Sequence, residues 1–279
     1  APGRAWPHSP VGINPGMCFD HDALPPALPA DLVVPRLAGG AAAEILEITS
    51  ADGTPFSVAL ARSGEPRGPA VVILPDVRGL YRFYVDLAER FAEAGHDAVA
   101  IDYFGRSAGT GERDDDWDYW PHVRQTTPEQ IQADVAAAIE LLKARAGATQ
   151  FVAVGFCFGG AQAFLAATDP DLDLDAVVGF YGGLDGERLG IPSPRDEAVN
   201  VVRPVLALFG GADENITESQ RATFAANLER AGVEHEVVVY PGAPHSFFDR
   251  KQEQFADASQ DAWRRTLGFL DALGAPTHA

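Results

Sequence analysis

The hexapeptide Gly155-Phe156-Cys157-Phe158-Gly159-Gly160 constrains this chain more than any other stretch. An apolar run over 151–154 leads into it and a helix-forming run over 161–167 follows. A strand that passes into a helix through such a turn holds its central residue on a strained corner, with the side chain presented at the end of a sheet. Gly155 and Gly159, two residues either side of Cys157, lack Cβ atoms and let the two backbones approach closely. A thiol on that corner reads as a nucleophile. Two other readings stand beside it: a Gly-rich helix start that cradles phosphate, and a cysteine buried for packing alone.

The rest of the chain supplies the sheet that such a corner needs. Short apolar runs predict strands at Glu44–Thr49, Pro55–Ala61, Ala70–Leu74, 98–102, 150–155, 176–181, 204–209 and 236–240. Four of them are apolar almost throughout, as expected of parallel strands covered on both faces. Helical signals fall between them. Thr127 and Thr217 each precede a Gln three residues on, the pattern of a capping box, and Pro128 suits the first helical position. A further helix over about 83–94 stops at Gly95. Alternating strands and helices predict a doubly wound, mostly parallel sheet of about eight strands flanked by helices.

Residues 1–35 carry eight Pro and no sustained periodicity, and read as an extended arm or partly disordered extension ahead of one domain over 36–279. Residues 1–16 lie upstream of the sole Met, Met17, and form no apolar signal core. The formal net charge of −19 argues against nucleic acid or an anionic membrane as partner, and no stretch approaches the ~20 apolar residues of a membrane span. Of the two cysteines, Cys18 and Cys157, a disulfide would disable the second, so a reduced, cytoplasmic protein is expected.

Ligands of open α/β sheets bind beyond the carboxyl ends of the strands. Asp76, Cys157, Asp213 and His245 each fall just past a predicted strand. Nucleophile, acid and base then follow one another in the chain order Cys157, Asp213, His245, which is that of an α/β-hydrolase triad. His245 can take the thiol proton, and Asp213 can fix the imidazole tautomer.

With Gly-Phe-Cys-Phe-Gly-Gly at 155–160, Gly-Gly-Ala-Asp at 210–213 and Pro-His-Ser-Phe at 244–247, the chain resembles the dienelactone hydrolase family of α/β-hydrolases over about residues 40–273. The resemblance implies opening of cyclic enol-lactones to maleylacetate without metal or organic cofactor. It also implies an oxyanion hole from the backbone N–H groups of Val77 and Phe158. A family Glu that modulates the thiolate falls at Asp76, one methylene shorter, although an acid that stabilises its loop is the other reading. Arg106 matches an arginine that binds substrate carboxylate, although a surface salt bridge is its other reading. A second such arginine falls at Asp249, with Arg250 next to it. The acidic, aromatic segment 107–126, with Trp117 and Trp120, reads either as a lid or pocket wall or as an acidic surface loop pinned by its aromatics. A small lactone or ester, carrying a carboxylate, is thus the expected substrate. A general small-ester or thioester hydrolase and a catalytically silent ligand-binding fold member are the alternatives.

Overall fold

The structure, a computed structural model, describes residues 23–29, 42–111, 113 and 117–274. The strands are β1 (Glu44–Thr49), β2 (Pro55–Ala61), β3 (Ala70–Leu74), β4 (Ala98–Ile101), β5 (Phe151–Phe156), β6 (Ala176–Phe180), β7 (Val205–Gly210) and β8 (His235–Tyr240). They form one sheet in the order β1-β2-β4-β3-β5-β6-β7-β8. The first two pairings, β1 with β2 and β2 with β4, are antiparallel, and the rest are parallel. Every residue of β3 to β7 is buried, which is why those strands read as unbroken apolar runs.

The helices are α1 (Arg82–Glu93), α2 (Gly105–Ala108), α3 (Trp120–Val123), α4 (Pro128–Ala146), α5 (Phe158–Ala166), α6 (Pro194–Glu197), α7 (Glu218–Ala231) and α8 (Ala256–Gly274). Both expected capping boxes form: Thr127 and Thr217 accept from the amides of Gln130 and Gln220, whose side chains accept in return from the two threonine amides. Each such cap contributes about 1 kcal/mol. Expected and observed strand limits differ by one residue at several ends, as at 150–155 against Phe151–Phe156.

Two features were not anticipated. The chain ends its described part in the 19-residue α8, which buries Ala262, Trp263, Leu267 and Leu270. Residues 23–29, expected in a loose arm, lie against the body: Pro26 accepts from the Trp263 indole at 3.0 Å, and Leu28 joins the core. Residues 1–16, Cys18 and the expected boundary at 35–36 lie outside the described residues. Among the described residues no helix is long and apolar enough to cross a membrane.

Candidate active site

Cys157 sits between the end of β5 and the start of α5 with φ 54° and ψ −109°, and its amide donates to Phe180 O at 3.0 Å. Among the described residues the non-glycine positions with positive φ are Cys157, Tyr181 and Ser246. Cys157 and Tyr181 directly follow β5 and β6, and Ser246 stands in the loop after β8, next to His245. Such conformations cost on the order of 1–3 kcal/mol each and persist only where the surroundings enforce them. Gly159 shows the enforcement. A Cβ there would fall 2.1 Å from Leu74 O and 2.3 Å from Pro75 O, so the elbow presses directly on the loop after β3.

That loop is fixed from three sides. The Asp76 amide donates to the Tyr84 hydroxyl at 3.0 Å. The Tyr103 hydroxyl donates to Asp76 O at 2.6 Å and to Pro75 O. Arg78 donates to the Asp76 carboxylate from its amide at 2.8 Å, from Nε at 3.0 Å and from Nη2 at 2.5 Å. Among the described residues the backbone N–H groups of Val77 and Phe158 donate to no other group. One amide follows Cys157 and the other belongs to the loop on which Gly159 packs, and neither is spent on a partner among the described residues.

On the other flank, Asp213 follows β7 and His245 follows β8. A Cβ on Gly210 would lie 2.4 Å from Ala243 O, and the Ala212 amide donates to that carbonyl at 2.9 Å. The two loops are thereby drawn together. His245 Nδ1 stands 2.6 Å from Asp213 Oδ2, and the Asn215 amide donates to Oδ1 at 2.9 Å. Burial alone would raise the Asp213 carboxyl, but the His245 hydrogen bond, the charge of that ring and the Asn215 contacts hold it below its ordinary value. His245 Nε2 is buried and makes no hydrogen bond among the described residues. An imidazole oriented through one nitrogen and unengaged at the other can move a proton.

The remaining expected residues are placed less uniformly. Asp76 is not a lone acid, because Arg78 grips it in a pair whose side chains are 8% and 1% exposed. Arg106 is drawn into ion pairs: its guanidinium bonds Asp134 at 2.7 and 2.9 Å, Asp52 at 2.7 Å and Ser50 at 2.9 Å. Arg250 is half-buried, and its Nε makes no hydrogen bond among the described residues. Trp117 stacks on His122 with centroids 4.8 Å apart and lies under the Arg113 guanidinium. Trp120 packs beside Tyr119 and Arg124. Among the described residues no three His, Cys, Asp or Glu side chains converge so as to hold a metal ion.

Arg78 and Asp249 also belong to the cluster around Asp76, although no motif in the sequence marks either of them. Asp249 is fully buried with Oδ2 4.0 Å from Arg78 Nη2. Burial pushes its carboxyl up to about 6, against the pull of Arg78, with the Asp76 charge adding to the rise.

The profile of the dienelactone hydrolase family matches residues 56–274. The chain belongs to that family. It is 31% identical over 212 residues to a Yersinia pestis protein named "Putative carboxymethylenebutenolidase", covering 74% of this chain and 79% of that one. It is 30% identical to a Bradyrhizobium protein named "Probable 2-oxo-3-(5-oxofuran-2-ylidene)propanoate lactonase", covering 73% and 84% of the two chains. Among solved structures, a "Putative Dienelactone Hydrolase" from Klebsiella pneumoniae superposes with a TM-score of 0.70 at 28% identity, over 82% of this chain and 99% of that one. Membership makes the protein a carboxylic ester hydrolase with the α/β-hydrolase fold.

Proposed function

We propose that the protein opens a lactone or enol ester through a Cys157–His245–Asp213 triad and a thioester acyl-enzyme. The observation that carries this reading is the 2.6 Å contact of Asp213 with His245 Nδ1, which leaves the buried Nε2 unengaged at the sheet end that bears the strained Cys157. His245 Nε2 takes the thiol proton, and the sulfur attacks the carbonyl carbon. The carbonyl oxygen becomes an oxyanion held by the amides of Val77 and Phe158. Collapse breaks the bond from carbon to the ring or ester oxygen, which receives the proton from His245. Water then attacks the thioester, giving its proton to His245, and the protonated imidazole returns it to the departing sulfur.

Asp76 acts on the thiol as half of an ion pair with Arg78, which keeps its carboxylate from facing the sulfur as a lone charge. Of the two arginines expected at a substrate carboxylate, Arg250 is the better candidate, since Arg106 already spends its donors on Asp52, Asp134 and Ser50. That engagement of Arg106 also favours a second reading, in which neutral small esters or thioesters are the substrates. Turnover of p-nitrophenyl acetate, abolished by iodoacetamide, tests the thiol chemistry. A panel of carboxylate-bearing dienelactones set against neutral aryl esters separates the two substrate classes.

A further inference from the structure

Tyr181, the residue just past β6, has two features that its packing leaves unexplained. Its φ is 38°, a region that bulky residues avoid. Its hydroxyl is buried, on a residue 0% exposed, and makes no hydrogen bond among the described residues. The ring itself is well used: its centroid lies 5.0 Å from that of His245 and 5.6 Å from that of Phe247. A phenylalanine would make the same ring contacts, and Phe180 stands next to it in the chain. Burying a hydroxyl without a partner opposes folding, so the oxygen needs a reason beyond packing.

The other tyrosines around the loop after β3 have their hydroxyls committed. Tyr84 accepts from the Asp76 amide, Tyr103 donates to Asp76 O, and Tyr81 is bonded to Arg78. Burial, then the nearby acids Asp249 and Asp76 and the Cys157 side chain, hold the Tyr181 phenol well above its ordinary range. It therefore stays protonated and is available as a donor. A group bound against the His245 ring, 5.0 Å away between centroids, is a partner that this hydroxyl can serve.

We infer that the Tyr181 hydroxyl donates a hydrogen bond to the leaving oxygen of the bound ester or lactone, on the side served by His245. This rests on the Cys157–His245 reading. The donor lowers the charge that builds on that oxygen as its bond to the acyl carbon breaks. It matters most for a poor leaving group, in which more charge has to be stabilised.

The test is Tyr181→Phe, assayed on phenyl acetate and p-nitrophenyl acetate with the melting temperature measured in parallel. The expected result is a loss of about ten- to a hundredfold in kcat/KM for phenyl acetate, a smaller loss for p-nitrophenyl acetate, and a melting temperature equal to or above that of the wild type. Unchanged turnover of phenyl acetate would overturn the inference. So would a loss equal on both esters and accompanied by a lower melting temperature, which would make Tyr181 a packing residue. Iodoacetamide inactivation of the wild type reports on Cys157 separately, so failure of the thiol reading is distinguishable from failure of the hydroxyl's role.

Discussion

The Asp249 carboxylate lies 4.0 Å from the Arg78 guanidinium that already holds Asp76 at 2.5 Å, so two buried acids share one base. One positive charge cannot fully offset two negative ones in a low-dielectric setting, and Asp249 bears the deficit. With its carboxyl raised to about 6 by burial, the folded protein keeps the proton that the unfolded chain has already lost. Between about pH 4 and pH 6 this group therefore binds more proton in the folded state than in the unfolded one, and its contribution to stability falls as pH rises. Asp102, also raised to about 6 by burial, adds to the same trend. Asp249→Asn should remove its own share, so the stability of the variant relative to wild type increases from pH 4 to pH 7. Denaturant melts of both proteins across that range check this, and parallel curves would contradict it.

His245 Nδ1 lies 2.6 Å from Asp213 Oδ2, and in the proposed triad Asp213 fixes the imidazole tautomer. Asp213→Asn should preserve the fold and cost about three to four orders of magnitude in kcat, because the amide favours the wrong tautomer. His245→Ala should cost at least as much. Steady-state kinetics with circular dichroism on each variant give the answer, and a nearly silent Asp213→Asn would assign the orienting role elsewhere.

Arg106 and Arg250 should separate by phenotype. The Asp134 side chain is 0% exposed, so Arg106→Ala strands a buried charge and should cost about 3–5 kcal/mol of stability. It should have little selective effect on carboxylate-bearing substrates. Arg250→Ala should instead raise KM for carboxylate-bearing lactones by about ten- to a hundredfold and leave neutral aryl esters unchanged. Equal losses on both substrate types would remove Arg250 from substrate recognition.

Gly159→Ala tests the contact between the elbow and the loop after β3. An added Cβ would meet Leu74 O at 2.1 Å and Pro75 O at 2.3 Å, so the loop carrying Val77 has to move. Both melting temperature and kcat should fall, kcat by at least tenfold, as expected when an oxyanion donor is displaced. A variant with wild-type kcat would show that the Val77 amide takes no part.

Much of this was legible in the sequence because its signals are local. The elbow glycines, both capping boxes and the apolar runs of β3 to β7 are each set by a few adjacent residues. The positions of Cys157, Asp213 and His245 followed from strand ends alone. What escaped the reading depends on residues far apart in the chain. The Arg78–Asp249 approach joins positions 171 residues apart (249 − 78), and the Arg106 network joins Asp52 to Asp134. Motif matching placed Arg106 at a strand end without showing which acids surround it. Tyr181 looked like one more apolar strand residue, since neither its positive φ nor its unbonded hydroxyl leaves a mark in the sequence.

The central claim is that the acyl group passes through the Cys157 sulfur. Protein acid-quenched during turnover of p-nitrophenyl acetate and digested with a protease can be read by peptide mass spectrometry. The account predicts an acetyl group on the peptide bearing Cys157, lost on reaction with hydroxylamine as a thioester is, and absent from Cys157→Ala, which should also fail to turn over the ester. Undiminished turnover by Cys157→Ala, or an acetyl group on another residue that forms and decays at the rate of turnover, would contradict it.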